Sequence, residues 1–228
     1  MPEVAVWFDI DGTLLDTGGA GSRAYGIAVR KHFGIEVDMT RIHFAGATDL
    51  GVLEDILTHH GQADGLRQAN AFFESMERAY DAAFTATPIS VFEGVRELLQ
   101  GLDDDANCLL GLVTGNAKRL AYNKLRHAQL GHYFGHGGFG DDHADRKEMA
   151  RLAHERALAL NKGNAFSKTY LVGDTPRDIS AAHAIGAMAI GVATGGYDAE
   201  ALLAAGADVA LESLADTEYC ITLFTNAG

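Results

Sequence analysis

The sequence predicts an α/β protein: a Rossmann-like parallel sheet with helices on both faces, plus an inserted small all-helical domain. Three observations carry this. Short apolar runs recur at 4–10, 108–113, 169–172 and 188–192, with a weaker one at 208–211, each apolar throughout rather than alternating. Strands covered on both faces read this way. Between the runs, 116–130, 147–159 and 177–185 carry apolar residues at three- and four-residue spacing, the stripe of a packed helix. The stretch 17–87 has no such run and reads as helices only.

Taken in order, the first run has a β-branched and aromatic bias and ends at Asp11-Gly12-Thr13, a buried strand entering a loop. Helices are expected at 22–33, 49–60 and about 63–84, forming a separate domain at 17–87. Its connections are the glycine-rich 16–21 and the segment 86–90 with Pro88. The remainder, 1–16 and 88–228, forms the sheet domain. A further strand candidate lies at 136–140, and the alanine-rich 199–207 reads as a packed helix.

Bulk properties narrow the function. The 228 residues are 47% hydrophobic and 21% charged, with a formal net charge of −13. That balance argues against nucleic acid or an anionic membrane as partner, since both need clustered Lys and Arg. It leaves a small phosphorylated molecule open, because a cation and a few local basic groups neutralise a phosphate whatever the global charge. Two cysteines make no disulfide framework, the first residues lack a basic leader, and no apolar stretch reaches the roughly 20 residues of a membrane span. A soluble, cytoplasmic protein is expected; oligomeric state is left open. The ten histidines show no H-x-x-x-H or Cys/His ligand spacing on one helix face and read as scattered surface residues.

Three motifs carry chemistry. FDIDGTLLDT (8–17) sets Asp9 and Asp11 two positions apart at the carboxyl end of a buried strand, a costly placement that a divalent oxygen-seeking cation compensates. The loop begins at Gly12, which turns Asp11 toward a substrate. LVTGN (112–116) ends another strand with the Thr114 hydroxyl and the backbone N–H groups of Gly115 and Asn116, donors suited to phosphate oxygens, backed by a helix N-terminus; read alone, Thr114 also suits a helix N-cap. LVGDTPRDI (171–179) ends a third strand with Asp174 and, four residues on, Asp178, both able to face one metal. An acidic first helical turn also accounts for Asp178, but poorly for Asp174. Parallel sheets gather ligands at this edge.

DIDGT, TGN and GDTPRDI, in this order and spacing, resemble motifs of the haloacid dehalogenase (HAD) superfamily. The resemblance implies a phosphatase in which Asp9 attacks the phosphoryl group, forming an aspartyl-phosphate, and Asp11 is general acid and base. It implies Mg²⁺ held by Asp9, the Asp11 carbonyl and Asp174, with Asp178 close by. It also implies a basic residue that neutralises nucleophile and phosphate. Many relatives read Lys-Pro there and this chain does not; HADRKEM (143–149) offers Arg146 and Lys147, with Arg146 preferred because Lys147 begins the helix. Arg177 is a further basic residue beside the site, and reads more readily as a solvated loop arginine. The block 17–87 is similar to the helical C1 cap that closes over the site, and AGATDLGVLEDIL (45–57) resembles the cap segment of phosphoglycolate phosphatase-like members, bringing Gly46, Thr48 and Asp49 toward the leaving group. A small phosphate monoester such as 2-phosphoglycolate is the substrate this implies. A phosphosugar mutase uses the same two aspartates, and a catalytically silent relative is the third reading. Asp11 speaks against a dehalogenase or phosphonate hydrolase.

Overall fold

The computed structural model describes residues 1–225. β1 (Val4–Phe8) enters the loop that carries Asp9 and Asp11, and the short β2 (Leu15–Asp16) leads into α1 (Ala20–Phe33), α2 (Asp49–His59) and α3 (Ala69–Ala86). β3 (Ser90–Val91) pairs antiparallel with β2, so outgoing and returning chains cross to the helical insert side by side. Then follow α4 (Val95–Asp103), β4 (Cys108–Val113), α5 (Lys118–His127), β5 (Gly137–Gly138) and α6 (Arg146–Leu160). β6 (Lys168–Gly173), α7 (Pro176–Ala184), β7 (Met188–Val192), α8 (Ala199–Ala204), β8 (Val209–Leu211) and α9 (Thr217–Thr225) complete the described chain.

Six strands form one parallel sheet in the order β5-β4-β1-β6-β7-β8. β1 lies inside it, and its alternate side chains enter two cores. Val4, Val6 and Phe8 pack with residues of α4, α5 and α9, while Ala5 and Trp7 pack with α6, α7 and α8. That two-sided burial is why the run shows no alternation. A fully buried Leu, Ile, Val or Phe here contributes about 1.5–3 kcal/mol over its exposed state. The insert has its own core, built from Tyr25, Leu53, Leu57, Phe72 and Met76 among others, and Ala117 and Leu120 of α5 join it. The insert therefore rests directly on the helix that follows β4. Among the described residues no helix is long and apolar enough to cross a membrane.

Two helices add to those the sequence predicts: α4, whose apolar Val95, Leu98, Leu99 and Leu102 are all fully buried, and α9. The helix expected from about 63 begins instead as a 3₁₀ segment, Ala63–Gln68, around the helix-weakening Gly65. β5 is two glycines long, shorter than the expected 136–140.

Candidate active site

Three sheet strands end side by side. β1 delivers Asp9, β4 delivers Thr114 and β6 delivers Asp174, on adjacent strands of the order β4-β1-β6. The chain runs outward in both directions from β1, so this is the switch point where open α/β sheets hold ligands. A cavity of about 300 Å³ opens there, lined by Asp9, Asp11, Gly12, Gly115, Asn116 and Asp174 from the sheet side, and by Gly46, Asp49 and Tyr80 from the insert.

Gly12 has φ of +76°, and a Cβ there would run into the Asp174 carboxylate. Only glycine permits both the left-handed turn and that approach. α7 is set by a capping box: the Thr175 side chain accepts from Asp178 N, and the Asp178 carboxylate accepts from Thr175 N at 3.1 Å and Thr175 Oγ1 at 2.7 Å. Pro176 stands in the first turn. Asp178 thus fills the helix-start role and turns its other oxygen to the site.

That oxygen meets Arg146. Its Nη2 lies 2.5 Å from Asp178 Oδ1 and 3.1 Å from Asp9 Oδ1, and donates to Val113 O at 3.2 Å. Nη1 reaches the Gly46 carbonyl at 3.4 Å. A guanidinium this buried persists as a cation because Asp178 and Asp9 hold its proton against the cost of burial. Of the two basic candidates, the structure brings Arg146 to the site and not Lys147. Lys147 is exposed, one helical step further round α6. Arg177 is likewise exposed.

Asp9, Asp174 and Asp178 each offer an oxygen within 4.8 Å of the others. Burial pushes the Asp174 carboxyl up to about 8, with Asp9 and Asp178 adding to the shift and Arg146 opposing it. Burial likewise raises Asp9 to about 6 against the pull of Arg146. Asp174 Oδ1 is buried with no hydrogen-bond partner. An unpaired buried carboxylate oxygen among two further carboxylates is a donor set that suits a hard divalent cation.

Asp11 is tied differently. Lys124 of α5 donates to both its oxygens, at 2.7 and 2.6 Å, and Asn116 Nδ2 donates to Asp11 Oδ2 at 2.7 Å. Lys124 is absent from the site residues read from sequence. One signal was available: a lysine interrupting the apolar stripe of Ala117, Leu120, Ala121, Leu125 and Ala128.

Other expectations are corrected. Thr48 does not face the cavity. Its hydroxyl caps α2 by accepting from Gly51 N and donates to Ala144 O at 2.9 Å, clasping insert to sheet domain. The start of α5 is not free for an anion. Ala117 N donates to Asp49 Oδ2 at 2.7 Å and Lys118 N to Asp141 Oδ1 at 2.8 Å, so protein carboxylates hold its first N–H groups. Thr114 is no N-cap. Its Oγ1 accepts from Asn116 Nδ2 at 2.8 Å, placing it behind Asn116. Gly115 packs so closely that a Cβ would strike the Ala47 carbonyl, and Asp49 N donates to Gly115 O at 2.7 Å.

Comparison with known proteins gives the family and the fold. Residues 6–192 match the family described as haloacid dehalogenase-like hydrolase. A phosphoglycolate phosphatase of Chromobacterium violaceum is 31% identical over 218 residues, covering 93% of each chain. Among solved structures, a hydrolase from Pseudomonas syringae superposes with a TM-score of 0.70 at 24% identity, covering 99% of this chain and 100% of the other. A beta-phosphoglucomutase from Clostridium difficile does so with a TM-score of 0.67 at 19% identity, covering 96% of each; at these identities the two likenesses speak for the fold. With most of its length matched by that family and a phosphatase among its relatives, the chain belongs to the haloacid dehalogenase-like hydrolases and is an enzyme of the phosphatase kind.

Proposed function

We propose that the protein is a Mg²⁺-dependent phosphatase that hydrolyses a small phosphate monoester through an aspartyl-phosphate on Asp9. The observation that carries the reading is the grouping of Asp9, Asp174 and Arg146 at one sheet edge, in a cavity of about 300 Å³ that also holds Asp11. In the first step an Asp9 oxygen bonds to phosphorus as the ester P–O bond breaks, and Asp11 gives its proton to the departing oxygen. In the second step water attacks phosphorus, its proton passes to Asp11, and Asp9 is released as carboxylate. Asp9, the Asp11 carbonyl and Asp174 are the residues assigned to hold Mg²⁺, with Asp178 behind them. When bound, the ion shields the anionic nucleophile from the anionic ester and stabilises charge on the transferring group. Arg146 supplies fixed positive charge from the other side. Gly12, Gly115 and Asn116 line the cavity on the phosphoryl side, with Gly12 N already donating to Leu15 O at 3.0 Å and Asn116 N to Thr114 Oγ1 at 3.3 Å.

The insert, 17–87, serves as the cap. Gly46, Asp49 and Tyr80 form its wall of the cavity, which excludes water during transfer. The small cavity and the Chromobacterium relative make 2-phosphoglycolate the first substrate to assay.

Asp9→Asn is expected to leave no turnover of p-nitrophenyl phosphate above background, and EDTA to abolish turnover until Mg²⁺ is restored. A folded Asp9→Asn protein that still turns over sinks the mechanism. For the mutase alternative, a hexose phosphate is supplied with its bisphosphate; free phosphate, not an isomerised sugar phosphate, is the expected product.

A further inference from the structure

Lys124 is the one lysine buried among the described residues. An ammonium in such a place is costly unless it is paired and hydrogen-bonded. Here its Nζ makes three short contacts: Asp11 Oδ1 at 2.7 Å, Asp11 Oδ2 at 2.6 Å and Asn116 Oδ1 at 2.6 Å. Asn116 closes the ring by donating to Asp11 Oδ2 at 2.7 Å and is itself held by Thr114 at 2.8 Å. The insert completes the enclosure, with the Tyr80 ring centred 5.7 Å from Nζ. Asp11 itself remains partly exposed to the cavity, its side chain 42% accessible, against 6% for Lys124. Lys124 lines the cavity beside Asp11 but is nearly closed to solvent, so the more open carboxylate is held by a cation at the cavity wall.

Resting on the phosphatase reading above, we propose that Lys124 is a positioning residue for Asp11, fixing its carboxyl where the leaving oxygen departs. Arg146 serves Asp9 and Asp178, and Lys124 serves Asp11, so each of the two reacting carboxylates has its own buried cation. A group that acts through Asp11 affects only the part of the reaction that Asp11 performs.

The test is Lys124→Met, which keeps the apolar stem and removes the charge. With glycerol 2-phosphate, whose alkoxide needs a proton to leave, kcat is expected to fall roughly 100-fold with KM within about 3-fold. With p-nitrophenyl phosphate, whose leaving group departs unprotonated, the fall is expected to stay under about 5-fold. In an Asp11→Asn background, adding Lys124→Met should cost no more than about 2-fold, because the group it positions is gone. Equal losses on the two esters, or losses that multiply with Asp11→Asn, overturn the proposal in favour of a purely structural lysine. A raised KM on both esters with kcat intact overturns it in favour of direct substrate binding. Should Lys124→Met not fold, Lys124→Gln is read by the same ratio of losses. A wild type silent on both esters defeats the phosphatase reading and this inference with it; an active wild type with an unsplit mutant loss defeats this inference alone.

Discussion

Neighbouring positions on a helix point about 100° apart, and at the start of α6 that angle separates Arg146 from Lys147. Arg146 turns into the sheet edge, where Asp9 and Asp178 share its Nη2, while Lys147 turns to solvent. Arg146→Met leaves two buried carboxylates facing each other with no cation between them. It is expected to lower kcat/KM roughly 100- to 1,000-fold, and to cost about 3–5 kcal/mol in a denaturant melt, as breaking a buried pair does. Lys147→Met should stay within about 2-fold of wild type in the same assay; a comparable loss there would return the role to Lys147. At this scale the sequence showed the carboxylates and hid their partners. Asp9 and Asp174 were legible because charge at the end of a buried strand is conspicuous. For Lys124 only its place in an apolar stripe was visible and not its role, because its partner Asp11 lies 113 positions away and only the folded α5 brings them together.

At the scale of elements, α2 begins against the sheet domain, and several of its polar groups are bonded across the contact. Thr48 clasps Ala144 O, Asp49 N and Leu50 N donate to Gly115 O and Gly140 O, and the Asp49 carboxylate takes the Ala117 N–H. Thr48→Ala is expected to cost about 0.5–2 kcal/mol in thermal or denaturant unfolding, the range for loss of an N-cap. KM for any hydrolysed ester should remain within about 2-fold. A KM rise without loss of stability would put Thr48 back among the substrate-binding residues, where its place in 45–57 suggested it. The strands of the sheet and the larger helices were readable because burial imposes a period, continuous for β1 and three-four for α6 and α7. The contacts of α2 were not. Thr48 sits in a segment whose local pattern is only that of a helix start, and what it clasps is set by how the insert settles on the loops after β4 and β5. For the same reason a helix N-terminus that looked ready for phosphate at α5 proved to be held by Asp49 and Asp141.

For the whole molecule, a chain of net charge −13 concentrates carboxylates at one buried edge, and binding the proposed cation there would change stability as well as chemistry. Without metal, burial raises Asp9 to about 6 and Asp174 to about 8, while in the unfolded chain both titrate near the ordinary value of about 3.9. A carboxyl whose folded pKa is raised favours the folded state when protonated, so that contribution is present at low pH and is lost as pH climbs through the folded value. The window runs from about 4 to about 8. Taking up Mg²⁺ requires these groups to release their protons, so affinity should rise through the same window, by up to about tenfold per pH unit for each proton displaced. The rise in Tm on adding saturating Mg²⁺ is therefore expected to be larger at pH 8 than at pH 5.5. Titration calorimetry in buffers of different ionisation enthalpy should register protons released on binding at pH 6 to 7, and Asp174→Asn should remove most of that release. A Mg²⁺-induced shift that is equal at both pH values, with no proton release, would mean that the ion binds somewhere other than between Asp9 and Asp174.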